Sequence, residues 1–279
     1  MDDREYAEYW GYAEKEEGKL LRFLSREYGI LADDIAEIVP MLKALSDPLS
    51  PSEVRRLHRR VKSWREEDNG DFRELTLYLR DLERRSRIRK KETVFVILFA
   101  LYAGMSSRLM RETVQMLEHI RADTLAKYEI SRYSKVDFTQ FELPDGTTLK
   151  GQLGNYASYS AQRMAQTIQL GGKLSPVIQA SQNRILSQTK AGHYHGYLDQ
   201  VTASVVGYSV MEALKQTGAG KYRFIAVLDE ATTDICRSLN GKIFRVEEME
   251  LGVNVPPIVK DQDGRPVPHP CRSMIRMIE

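Results

Sequence analysis

Both cysteines of the chain, Cys236 and Cys271, lie toward its C-terminus, in company with His269 and Asp229. Thiolate, imidazole and carboxylate together suit Zn²⁺, which takes four ligands in structural sites. Cys236, His269 and Cys271 are candidate ligands, and Asp229 is a candidate fourth. The His-x-Cys spacing of His269 and Cys271 is unusual beside the common Cys-x-x-Cys pair. A second chemistry is a thiol nucleophile: Cys236 near a helix N-terminus with a lowered pKa, His269 as base and Asp229 orienting it. A third reading needs no chemistry. The cysteines are then small buried hydrophobes, and His269 is a loop histidine hydrogen-bonded to backbone.

The elements around these residues form a small α+β module. Tyr222 to Leu228 is aromatic and β-branched, as in a strand. Thr232 to Leu239 reads as a short helix that Asp229 or Thr232 could cap. Asn240-Gly241 is a turn, and Lys242 to Val246 returns as a strand. Proline loops follow at Val255-Pro256-Pro257 and Pro266 to Pro270. Cys271 to Ile278 reads as a short strand or helix.

Everything upstream is mainly helical. Residues 3 to 28 carry aromatics and leucines at helical spacing, with Gly29 as the expected stop. Ala32 to Leu45 reads as a second helix, kinked or broken by Pro40. Ser50-Pro51-Ser52-Glu53 has the form of a helix start, running to about Glu67. Asp71 to Tyr133 predicts one or two long helices, with a break near Gly104 to Ser107. Val136 to Phe141 alternates as a strand does, and Pro144 to Thr147 is a turn. Further helices are expected over Ala157–Leu170, Pro176–Leu186 and Ala191–Thr217. The expected architecture is therefore mainly α with a C-terminal α+β module. It divides into a helical arm at 1–133, a helical middle region with a short β segment at 134–220, and the module at 221–279.

Composition narrows the function classes. An apolar share of 42% permits a real core. The net charge of +2 sums 41 basic and 39 acidic residues, and so hides local bias. Arg84, Arg85, Arg87, Arg89, Lys90 and Lys91 form a strip that could meet phosphate or stand as a solvated helix face. The most apolar run, Val94 to Met105, is short of the roughly twenty residues of a membrane span and reads as a core helix. Met1-Asp2-Asp3-Arg4 is not the start of a signal peptide. Paired carboxylates, a Gly-rich phosphate loop and a His-Glu helix motif are all missing, which argues against an enzyme.

At LDEATTDICRSLNGKIF, then GVNVPP, then HPCRS, the chain resembles the C-terminal domain of phage minor head proteins, the Mu F-like head morphogenesis family. The residues carrying the resemblance are Asp229, Thr232, Cys236, Leu239, Gly241, Pro256, Pro257, His269, Pro270, Cys271 and Arg272. It covers roughly Ala191 to Glu279. The chain departs from the family pattern in three places. Ile258 to Pro268 separate the Pro-Pro pair from His-Pro, Cys271 follows Pro270 directly, and Ser273 stands where a last cysteine is usual.

The resemblance implies a minor head protein in the capsid interior of a tailed phage, made in the host cytoplasm. It implies association with portal protein, scaffold or major capsid protein in multiple copies, and a non-catalytic part in head assembly and genome packaging or delivery. The basic strip would then lie near packaged DNA, and Zn²⁺ is the one cofactor the cluster brings into view. The alternatives are a Cys/His-dependent hydrolase, a metal-dependent nuclease, or a DNA-binding accessory protein using the strip at 84–91.

Overall fold

Buried residues recur every three or four positions from Trp10 through Ala13, Glu16, Leu20, Leu24, Tyr28, Leu31, Ile35 and Ile38 to Leu42, all of them apolar but Glu16. That stripe keeps its phase across Gly29, so in the computed structural model one helix, α1, runs Asp3–Lys43. The expected stop at Gly29 and the separate helix at Ala32–Leu45 are therefore corrected. Pro40 stays inside α1, on its exposed side, where the carbonyl it leaves unbonded can meet water. The structure describes residues 3–68, 80–81, 84, 89–185, 197–228, 232–260, 263–264 and 273–278.

Helix α2 spans Pro51–Asp68. Its start is the expected capping box: the Ser50 N–H donates to Glu53 Oε2 at 2.7 Å, and the Glu53 N–H donates back to Ser50 Oγ at 3.4 Å. The Ser46 hydroxyl and N–H also donate to Glu53, and with Ser50 they hold its carboxyl down to about 2. Helix α3 spans Lys90–Ala126 without a break, so Gly104 does not interrupt it and it ends before Tyr133. The turn after it places Glu129 at φ 59°, and the Ile130 N–H bonds to the Leu125 carbonyl. By length and composition α3 could cross a membrane, but 61% of its apolar stretch is buried inside the protein, as in a core helix.

Residues 136–141 are not a strand. Asp137 accepts from the Thr139 N–H and hydroxyl at 3.0 and 2.7 Å, closing a side-chain turn. The turn buries Phe138 and sets Phe141, three residues on, edge-on to Tyr208 at 5.4 Å. Gly146, at φ 79°, then makes the expected turn. Helices α4 (Leu149–Gln169), α5 (Ser175–Ile185) and α6 (Tyr197–Gln216) follow. Strand β1 (Lys221–Ile225), helix α7 (Asp234–Leu239), strand β2 (Ile243–Arg245), a 3₁₀ turn (Val246–Glu248) and strand β3 (Met274–Ile278) complete the described elements. The ending is thus a strand. The three strands form one antiparallel sheet in the order β2-β1-β3.

The chain divides into two units. One comprises Phe23–Arg111 and Gly151–Gln182. In it Glu27, only 5% exposed, receives the Arg108 guanidinium at 2.6 Å, and the Tyr28 and Tyr156 hydroxyls hydrogen-bond. Lys90 of the basic strip donates to the carbonyls of Lys43 and Leu45 at 2.8 and 2.7 Å, closing the end of α1. Arg84, Arg89 and Lys91 are exposed, whereas Arg85 and Arg87 lie outside the described residues.

The other unit comprises Met1–Arg22, Glu112–Lys150 and Asn183–Glu279. Its centre is α6, where Val201 to Gly207, Ser209, Val210, Ala213 and Leu214 are all buried. A helix buried nearly all round needs small residues and satisfied hydroxyls. Ser204 and Ser209 donate to the carbonyls of Gln200 and Val205 at 2.7 and 2.6 Å. The buried Arg121 of α3 donates to Glu212 at 2.6 Å and to the Ser134 carbonyl at 2.8 Å.

Gly207 sets how closely the rest approaches α6. A Cβ there would stand 1.9 Å from the Pro256 carbonyl oxygen and 2.9 Å from Leu251 Cδ1. Gly207→Ala is expected to lower stability by at least about 2 kcal/mol, because backbone must move. Gly11→Ala in α1, where nothing lies within 4 Å, is expected to raise it by about 0.5–1 kcal/mol. Urea unfolding of the two variants measures both signs.

Candidate functional site

The motif residues meet where β1 leaves the sheet and α7 begins. Thr233 is the N-cap of α7, its side chain accepting from the Cys236 N–H at 3.4 Å. The expected cap at Asp229 or Thr232 is corrected by one position from Thr232. Thr232 does a different job: its hydroxyl donates to the Val227 carbonyl at 2.5 Å, while its own carbonyl receives Arg237 Nε at 3.2 Å. Thr232 thereby ties the start of α7 to the segment leaving β1.

The far end of α7 is fastened in the same way. Asn240 Oδ1 accepts from the buried Ala226 N–H at 2.9 Å. The Gly241 N–H donates to the Phe224 carbonyl at 2.8 Å, and the Phe224 N–H donates to the Lys242 carbonyl at 3.0 Å. Gly241 sits at φ 80°, a conformation glycine adopts without steric cost. Leu239 and Cys236 face the core, among Val210, Leu214, Tyr222, Phe224, Val255 and Ile275. Cys236 is 4% exposed.

Pro256 and Pro257 are both buried, joined by a cis peptide bond. Their loop is held by Asn254, which accepts from the Glu250 N–H and donates to the Glu248 carbonyl, each at 2.7 Å. The loop carries the Pro256 carbonyl onto Gly207. Asn240, Asn254, Thr233 and Gly207 are thus as much part of the site as the motif residues. The Gly207 signal was present in the sequence, as a glycine inside an apolar helical run.

Of the four candidate metal donors only Cys236 lies among the described residues; Asp229, His269 and Cys271 lie outside them, as do Pro270 and Arg272. Among the described residues no group of three or more His, Cys, Asp or Glu side chains is placed to hold a metal ion. One pocket of about 180 Å³ opens beside β3, lined by Tyr9, Thr124, Lys127, Tyr128 and Arg276 among others. Burial pushes the Tyr128 phenol up to about 12, with Arg276 opposing, and raises Tyr9 well above its ordinary value. Both phenols are therefore neutral near pH 7, which suits packing and hydrogen bonding better than nucleophilic attack. What the described arrangement does chemically is close hydrogen bonds around a strand–helix–strand turn.

Two outcomes test this. Thr232→Val is expected to cost about 1 kcal/mol and Asn240→Ala more, about 1–3 kcal/mol, because the latter orphans the buried Ala226 N–H; thermal unfolding ranks them. A structural Zn²⁺ on Cys236 with Asp229, His269 and Cys271 would bring one equivalent of zinc per chain, lost in Cys236→Ser. A purified chain without zinc, and with a Tm unmoved by chelator, leaves Cys236 as a core residue only.

No curated protein and no solved structure matches the chain. A family model does: residues 154–260 match the family described as Phage Mu protein F like protein. The matched stretch begins upstream of Ala191 and so takes in most of α4, all of α5 and α6, and the strand–helix–strand turn with its Pro-Pro loop. It ends before His269. Residues 154–260 are thus similar to the Mu F-like family that the ordered string from Asp229 to Arg272 resembles, and the match takes in that string from Asp229 to Pro257.

Proposed function

We propose that the chain is a minor head protein of a tailed phage. It acts without catalysis in head assembly and in genome packaging or delivery, from the capsid interior and in association with the portal. The observation that carries this reading is the Mu F-like match over residues 154–260. The roles seen at the motif residues agree with it. Thr232, Asn240 and Gly241 are spent on hydrogen bonds within the fold, and Cys236 on its core, which leaves them no evident catalytic work.

Scaffold and major capsid protein are the other proposed partners. The exposed Arg84, Arg89 and Lys91 are proposed to face packaged DNA.

The test is made in infected cells. Mass spectrometry of purified heads is expected to find the chain in every preparation that contains portal. Deletion of its gene is expected to lower infectious particles per filled head. A chain absent from both procapsids and virions overturns the reading.

A further inference from the structure

The charged residues of the three strands are all of one sign, and the acids beside them, Glu247 at Arg245 and Glu8 in the pocket that Arg276 lines, belong to other elements. The strands read KYRFI, IFR and MIRMI, and all four of their charged residues, Lys221, Arg223, Arg245 and Arg276, are basic and exposed. The register stacks them. Lys221 stands directly opposite Arg245, and Arg223 directly opposite Arg276. Residues directly opposite share a face with Cβ atoms about 5 Å apart, and like charges in that relation destabilise a sheet. Two like-charge rungs thus follow one another, about 6.8 Å apart along the strands. Arg245 also shares an exposed ion pair with Glu247 at 3.2 Å. The side chains between the cations are aliphatic: Ile243, 51% exposed, opposes Arg223, and Ile278 opposes Lys221.

An arrangement that costs stability in the isolated chain is relieved when an anion lies across it. We propose that this sheet face is a sequence-independent contact for the phosphate backbone of duplex DNA. Three of the four cations are arginines, whose planar forks take phosphate oxygens two at a time. A duplex offers one negative charge per roughly 1.7 Å of axis, dense enough to engage both rungs together. The strands place no aromatic side chain on this face, and the nearby Tyr9 and Tyr128 are taken up in the pocket beside Arg276, so single-stranded nucleic acid is not what it fits. The inference goes beyond the head reading and stands without it.

The experiment uses the full chain and a short labelled duplex of mixed sequence, with affinity measured by fluorescence anisotropy across a salt series. Each cation that meets a phosphate adds about 0.9 to the slope of log affinity against log salt. Arg223→Gln with Arg276→Gln is expected to lower that slope by about 1.8, and substitution of all four cations by about 3.6. Four contacts correspond to a loss of roughly a hundredfold in affinity between 50 and 200 mM salt. Lys135→Gln, an exposed cation off the sheet in the same unit, is expected to leave the slope unchanged. A Tm at or above that of the unsubstituted chain shows that the sheet variants fold. Slopes that do not move in folded variants overturn the proposal. So does a chain that holds no duplex at 50 mM salt, an outcome that would assign the face to an acidic protein surface. The strip at 84–91 is intact in every variant, so unmoved slopes leave its proposed DNA contact standing; absence of any duplex binding removes that contact too, and in both cases the head reading, carried by the family match, stands.

Discussion

Among the described glycines, the one with least room beside it stands where a helix meets a carbonyl. At Gly207 the backbone of α6 meets the Pro256 carbonyl with no room for a methyl group, and the surrounding elements are arranged to permit it. Helix α6 is buried nearly all round, so its neighbours must pack on it from several directions, with small side chains at the tightest point and the Ser204 and Ser209 hydroxyls turned back onto its own carbonyls. The loop that reaches Gly207 is closed on itself, the N–H groups of Val253, Asn254 and Val255 all donating to the Glu250 carbonyl. Asn254 bridges its two ends, and the adjacent prolines restrict its backbone.

In that light the motif string is a set of closures. Thr232, Thr233, Asn240 and Gly241 each complete a hydrogen bond for which neither helix nor sheet supplies a partner. Each is worth about 1 kcal/mol, and a domain's whole margin is only about 5–15 kcal/mol. Residues of this kind are as necessary to the fold as a catalytic group is to an enzyme, and in a sequence the two look alike. An ordered run of Asp, Thr, Cys, Asn and Gly reads as chemistry until the partners of each are known.

The sequence was most legible where one local force decides. The start of α2 follows from Ser50 and Glu53 alone, and the turn at Gly146 from its own φ. It was less legible where burial overrode local punctuation. Gly29, Pro40 and Gly104 are ordinary breakers, yet α1 and α3 pass through all three, because the buried stripe on either side keeps phase. The alternation at 136–141 misled for a related reason: Val136 and Phe138 sit two apart as in a strand, but a side-chain turn at Asp137 and Thr139 is what buries Phe138. At the site, the candidate residues were legible as a string, and their work was not. Hydrogen-bond partners such as Val227 and Ala226 carry no signal in their own residue types. The sheet register, which stacks Arg223 on Arg276, depends on β3, whose residues are remote in sequence from β1.

The C-terminal unit is drawn from three separate stretches of chain: Met1–Arg22, Glu112–Lys150 and Asn183–Glu279. Its sheet has β1 in the centre, and β1 gains its second neighbour only from Met274–Ile278. Helix α6 is therefore synthesised with its apolar surface uncovered, and it waits for β3 before the layer over it is complete. High sequence separation of this kind slows folding and lengthens the time that sticky surface is exposed. For a chain made on the ribosome, the dangerous interval lies between the emergence of α6 and that of β3. A chaperone, or a binding partner met during synthesis, would have its greatest effect within that interval.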